Sequence, residues 1–221
     1  MKISKRQLVI AFVLCITSIS VFLFIANAIE QGTVKHFDQP IIHVIQGLES
    51  SWLTLFFKTF TWIGSAYVVA PITLIAFLLL YFIYHRRGEA VLFVTLIIIT
   101  VLSNELLKQY FKRERPEIYR IIDAGGLSFP SGHTMMAFSM YAIITFVLWR
   151  NMKSHTHQVI LISGVTFMIS MIAISRIYLG VHFPSDILGG LMASTFLVTL
   201  SITIFTFIQK SKNKLEEKEI L

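Results

Sequence analysis

Lys108-x6-Arg115-Pro116, Pro130-Ser131-Gly132-His133 and Ser175-Arg176-x5-His182-x3-Asp186 are the stretches of this sequence whose side chains could do chemistry together. Lys108, Arg115 and Arg176 supply three cations, and the two guanidiniums can fork onto phosphate oxygens. Ser131 is a good helix N-cap and Gly132 allows close backbone approach, so a helix starting there would aim free N–H groups at an anion. Such groups make a cradle for a phosphate and for the charge that develops in its transition state. His133 and His182 add two imidazoles, one able to attack phosphorus while the other protonates the leaving oxygen. Spacing alone does not say which does which. Asp186 follows His182 by four residues, and Pro184 suits the first turn of a helix. His182 is therefore expected just ahead of a helix that carries Asp186 in its first turn. The carboxylate could then hold one ring nitrogen and leave the other as nucleophile. The same spacing could ligate a metal on a continuous helix. Pro184 argues against that helix and few other ligand side chains accompany the pair, so no metal site is expected.

The elements that position these residues must be membrane helices. Of the 221 residues 55% are hydrophobic and 14% charged, where a soluble domain carries about 25% charged residues. Mean hydropathy is +0.74. Nineteen Phe exclude a disordered chain. The single cysteine, Cys15, sits in an apolar run and excludes an internal disulfide. The fold class read from these facts is all-α, a polytopic membrane protein of one domain over residues 1–221. Six runs are long and apolar enough to span a bilayer: 8–28, 64–84, 90–107, 131–149, 159–177 and 185–208. Lys2, Lys5 and Arg6 precede the first run, and Ala26-Asn27-Ala28 looks like a signal-peptidase site. The run is longer than the 7–15 apolar residues of a signal peptide, so an uncleaved helix is expected. Between the first and second spans, Ile41, Ile42, Ile45, Leu48, Trp52 and Leu53 recur at helical spacing with His43, Gln46, Glu49 and Ser50 between them. This predicts an interfacial amphipathic helix. Residues 52–62 read either as a second interfacial piece or as an outward extension of the second span.

Orientation follows from Lys and Arg in the short loops. Lys2, Lys5, Arg6, Arg86, Arg87, Arg150, Lys153, Lys210, Lys212 and Lys214 fall on one side, which is therefore cytoplasmic, with both termini inside. The opposite side carries Lys108, Lys112, Arg113, Arg115 and Arg120 against this trend. An anionic ligand on the outer face is the simplest reason for five basic residues there. In a soluble protein a net charge of +7 would raise nucleic acid; here most basic residues end apolar runs, and no nucleic-acid partner is expected. Hydropathy and loop charge thus bring all three chemical stretches to the outer ends of spans three to six without using the motifs themselves. Glu105, near the end of span three, is expected to pair with a nearby Lys or Arg. Gly180, Gly189 and Gly190 are read as packing or bend residues.

Lys108, Arg115, Pro116, Pro130-Ser131-Gly132-His133, Ser175-Arg176, His182 and Asp186 resemble the three signature motifs of the type 2 phosphatidic acid phosphatase superfamily, with no motif position missing. The resemblance implies a phosphatase that needs no metal or other cofactor and works through a phosphohistidine. It implies His182 as nucleophile, Asp186 as its partner and His133 as general acid. It implies Lys108, Arg115, Ser131, Gly132 and Arg176 as the phosphate-binding set. The superfamily also includes soluble vanadium haloperoxidases, but six spans favour the compact bacterial membrane lipid phosphatases. The expectation is a cell-membrane hydrolase with an outward-facing site, acting on the terminal phosphate of phosphatidylglycerol phosphate, undecaprenyl pyrophosphate or both. Broad specificity toward phosphatidic acid and isoprenoid pyrophosphates is an alternative. A phospholipid transporter is a further rival, disfavoured because the charged residues gather at span ends and not at midplane.

Overall fold

The computed structural model describes residues 4–117 and 119–219, with side chains described through Ser211. The regular structure of the described chain is helical, without strands: α1 (Lys5–Glu30), α2 (Lys35–Gln46), α3 (Ser51–Ile63), α4 (Ala66–Leu78, followed by a π-helical turn over Leu79–Ile83), α5 (Arg87–Phe111), α6 (Gly132–Trp149), α7 (His155–Tyr178) and α8 (Pro184–Glu219). Six of these, α1 and α4 to α8, are long and apolar enough to cross a membrane, as the hydropathy predicts. Large apolar side chains such as Phe12, Phe24, Tyr67 and Leu106 stand exposed along them. Such a surface is a liability in water and a match for lipid.

Helix α6 is the centre of the bundle. It packs against α4, α5, α7 and α8, and Met135, Ala137, Met140 and Ile143 along it are fully buried. Small and hydroxyl residues serve as contacts here: Thr100 on α5 donates to the Ser139 hydroxyl on α6 at 2.9 Å. Helix α1 packs chiefly on α8. The up-and-down order brings the ends of α5 and α7 to the same face as the starts of α6 and α8.

Between the first and second spans one expectation is corrected and one open alternative is decided. The predicted single amphipathic helix is two, because Gly47 ends α2 and Ser50, extended at φ −155°, caps α3 by accepting from Leu53 N–H at 3.4 Å. Ile41, Ile42 and Ile45 therefore lie on α2, while Trp52 and Leu53 lie on α3. Residues 52–62 belong to α3, separated from the second span by a break at Gly64-Ser65. The second span itself runs unbroken through Pro71, and its irregularity is the π-helical turn near its other end. The third span, α5, extends past the predicted end, so that Lys108 stands in its last turn and not in the loop after it. Helix α8 likewise continues beyond the predicted 208.

Candidate active site

The segment between α5 and α6 lies across the motif-bearing end of the bundle. Helix α5 ends at Phe111, and the capping Lys112, at φ +47°, turns the chain. Ser128 N–H donates to Arg113 O at 2.8 Å, Ile121 N–H to Leu179 O at 3.1 Å, and Ser131 N–H to Asp186 O at 3.1 Å. The last bond joins the second motif directly to the third. Gly180, at φ +72°, lets the α7–α8 turn pass under the Tyr119 carbonyl, where a Cβ would collide with backbone.

Ser131 caps α6 as expected, accepting from Thr134 N–H at 3.4 Å and from the Thr134 hydroxyl at 3.0 Å. Its hydroxyl is fully buried, so it holds the helix start in place. The N–H groups of Gly132 and His133 are in the first turn and have no acceptor within the helix. Gly132 has a reason the sequence did not show: a Cβ there would sit 2.8 Å from Asn104 Oδ1. Asn104, on α5, donates to Pro130 O at 3.0 Å and ties the second motif to the first.

His182 is 1% exposed, just ahead of α8, and Asp186 in the first turn of that helix is fully buried. His182 Nδ1 and Asp186 Oδ2 are 3.2 Å apart. Arg115 Nη1 stands 3.0 Å from the other ring nitrogen, Nε2, and also donates to Val181 O at 2.8 Å. Its Nε donates to Gly125 O and Gly126 O. Burial, and then the charges of Arg176, Arg115 and Lys108, push the His182 imidazole well below its ordinary value of 6.5 and keep it neutral. Burial also lowers Arg115, with Asp186 acting the other way. His133 is half-buried at the start of α6, near enough to Arg176, His182, Lys108 and Arg115 to feel their charges.

Arg176, in the last turn of α7, is 4% exposed. Its Nη1 donates to the Thr61 hydroxyl on α3, and its buried Nε has no partner among the described residues. The structure therefore sorts the basic residues of this face. Among the described residues Lys108, Arg115 and Arg176 form no ion pair within 4.0 Å, whereas Arg113 pairs with Asp38 at 2.9 Å and Asp186 at 2.7 Å. Arg120 turns back onto Pro116 O and Arg115 O, and Lys112 is exposed. Three buried or half-buried cations without counter-ions are costly unless an anion joins them. A cavity of about 510 Å³ opens beside His182 and Arg115 and is lined on its far side by Lys35, Asp38 and Gln39 of α2.

All eight residues singled out in the three motifs thus lie at one end of the bundle. The model of the PAP2 superfamily matches residues 89–210, more than half of the chain. The chain belongs to the PAP2 superfamily. Phosphatidylglycerophosphatase B of Bacillus subtilis is a PAP2 relative 30% identical over 182 residues, which are 81% of this chain and 88% of that one. The crystal structure of the transmembrane PAP2 type phosphatidylglycerolphosphate phosphatase from Bacillus subtilis superposes with a TM-score of 0.81 at 27% identity, covering 88% of this chain and 96% of that one. LpxE of Aquifex aeolicus superposes with a TM-score of 0.61 at 25% identity, covering 76% and 95%. The chain is a multi-pass membrane PAP2 protein.

Sequence reasoning missed Asp38, Thr61 and Arg113 as site residues. Arg113 was visible only as one of five basic residues, and Asp38 and Thr61 belong to no motif. One expectation fails: Glu105 accepts from Gln109 at 2.7 Å and, among the described residues, forms no ion pair. Lys108 and Gln109 both neighbour Glu105 on α5, but Gln109 is exposed like Glu105 while Lys108 is half-buried.

Proposed function

We propose that the protein is an integral membrane lipid phosphatase that removes the terminal phosphate of phosphatidylglycerol phosphate, undecaprenyl pyrophosphate or both through a phosphohistidine. The single observation that carries this reading is the set of three cations without counter-ions beside a buried, neutral His182 held by Asp186. Nε2 of His182 attacks phosphorus, and an N–P bond forms as the bond to the lipid oxygen breaks. His133, protonated once the bound phosphate dianion offsets the surrounding cations, gives that proton to the lipid oxygen. Water then attacks phosphorus and returns a proton to His133. The N–P electron pair goes back to Nε2 and inorganic phosphate leaves. Lys108, Arg115, Arg176 and the first N–H groups of α6 stabilise the equatorial oxygens, charge that water would otherwise solvate. Before substrate binds, Nε2 is engaged by Arg115; an arriving phosphate takes the guanidinium and frees the nitrogen lone pair.

In this reading no metal takes part. The three cations that face the phosphate, Lys108, Arg115 and Arg176, oppose a divalent ion. Both termini are cytoplasmic, the site faces outward, and α2 and α3 lie along the outer interface, as the loop charges support. The lipid tail stays in the bilayer while the head reaches His182.

The test is phosphate release in detergent with EDTA, comparing phosphatidylglycerol phosphate with undecaprenyl pyrophosphate for wild type and His182→Ala. Release by wild type alone, unaffected by EDTA, is expected, and the ratio of rates identifies the preferred lipid. Loss of wild-type activity on chelation, or full activity in His182→Ala, would overturn the mechanism.

A further inference from the structure

The carboxylate of Asp186 is gripped on both oxygens. Oδ2 faces His182 Nδ1 and accepts from Phe183 N–H at 2.9 Å, while Oδ1 accepts from Arg113 Nη1 at 2.7 Å. The same Nη1 reaches the Ser185 hydroxyl at 2.7 Å, and Nη2 donates to Asp38 Oδ2 at 2.9 Å. Ser185 returns to Asp38, with its N–H donating to Oδ1 at 2.8 Å and its hydroxyl to Oδ2 at 2.7 Å. The Phe183 ring lies 4.1 Å from the guanidinium carbon. Asp38 is 1% exposed and Asp186 fully buried.

This closed network differs in kind from the three cations without counter-ions. The charge of Arg113 is matched on two sides, so it has no call for a substrate anion. A buried ionic network is also a poor way to gain stability, because desolvation offsets much of the attraction. What it supplies is geometry. A guanidinium fork can hold two carboxylates in fixed directions, which a lysine ammonium cannot. Without Arg113, Oδ1 of Asp186 would lose its partner in a dry site and the carboxylate could turn away from His182. Asp38 fixes the other arm of the fork from α2, so the docking of α2 is felt at the imidazole.

We infer that Arg113 and Asp38 are positioning residues that act on His182 through Asp186, extending the His–Asp pair into a four-residue relay anchored on α2. The inference rests on the reading of His182 as the attacking group. The charged and titratable groups around His182 are Asp186 from α8, Arg113 and Arg115 from the α5–α6 segment, Lys108 from α5, Arg176 from α7 and His133 from α6, with Asp38 of α2 behind Arg113.

Two readouts test it on the full chain in detergent micelles. The first is the NMR titration of the His182 ring in ¹⁵N-histidine protein, assigned by its absence in His182→Gln. Arg113→Gln removes a cation and is expected to move this titration to higher pH. Asp38→Asn removes an anion and is expected to move it lower, while Arg113→Lys stays near wild type. The second is phosphate release from phosphatidylglycerol phosphate and from undecaprenyl pyrophosphate. Here kcat is expected to fall about 100-fold in Arg113→Gln and about 10-fold in Arg113→Lys and Asp38→Asn, with KM within about threefold, because the loss is one of alignment. Opposite titration shifts with a loss confined to kcat support the relay. A His182 titration unmoved in all folded variants overturns it, as does a kcat within twofold of wild type or a loss confined to KM. If wild type releases no phosphate, the functional reading fails, while the titration still decides the relay. If Asp38→Asn does not fold, the contrast between Arg113→Lys and Arg113→Gln decides it.

Discussion

Arg115 Nη1 stands 3.0 Å from Nε2 of His182, on the ring nitrogen opposite the one that faces Asp186. A guanidinium has hydrogen-bond donors and no acceptor, so Nε2 carries the lone pair and Nδ1 the proton. The tautomer suited to attack by Nε2 is therefore present before any substrate arrives. Burial first, then Arg176 and Arg115, keep the ring neutral, since cations beside a buried imidazole oppose a further positive charge.

The first prediction is a pH profile. Because His182 is lowered well below 6.5, the acidic limb of kcat/KM falls below that of an ordinary histidine. The sign for stability follows by linkage. The unfolded chain binds a proton near 6.5 and the folded chain does not, so stability is full above that pH and declines as pH falls through and below it. Thermal unfolding of wild type and His182→Gln in detergent at several pH values checks this: the wild-type midpoint should drop more on acidification. Equal drops would count against a neutral buried imidazole.

Thr61 gives the second. Its hydroxyl is the only hydrogen-bond acceptor of the Arg176 guanidinium among the described residues. Hydrogen bonds to charged groups contribute about 1.5–3 kcal/mol, so Thr61→Val should lower kcat/KM by about 10- to 100-fold. Inorganic phosphate should also inhibit the variant more weakly. Steady-state kinetics with phosphate as competitor read both effects, and Thr61→Ser should restore most of the loss.

The third concerns Gly180. Any side chain there adopts a left-handed backbone and meets the Tyr119 carbonyl. Gly180→Ala should destabilise by at least about 1–3 kcal/mol, the usual cost of such a backbone, with the clash added. A Gly180→Ala chain with an unchanged midpoint in detergent would refute this.

Asn104 supplies the fourth. Asn104→Leu leaves the Pro130 carbonyl without its partner in a dry interior, at a cost of about 1–3 kcal/mol. Because that carbonyl precedes the α6 N-terminus, activity should fall with stability, and Asn104→Gln should not rescue it, since the longer amide does not fit against Gly132. Thermal midpoints and phosphate release measured on the same preparations test the coupling.

The sequence by itself determined the six spans, their alternation, and the motif residues that share one end. Each of these is written locally: spans in runs of about 20 apolar residues, the helix starts in Ser131 and Pro184, the His182–Asp186 pair in a four-residue spacing. The family resemblance was equally local, carried by residues 108–186. Only the tertiary structure decided that Arg113 is ion-paired while Arg115 two residues on, among the described residues, is not. Asp38 and Arg113 are 75 residues apart, Thr61 and Arg176 are 115 apart, and Ser185 reaches Asp38 across 147. No period or motif encodes such contacts. They exist because α2 packs on α7 and α8 and α3 packs on α7 at the motif-bearing end of the bundle, and because buried polar groups must find partners wherever packing brings them.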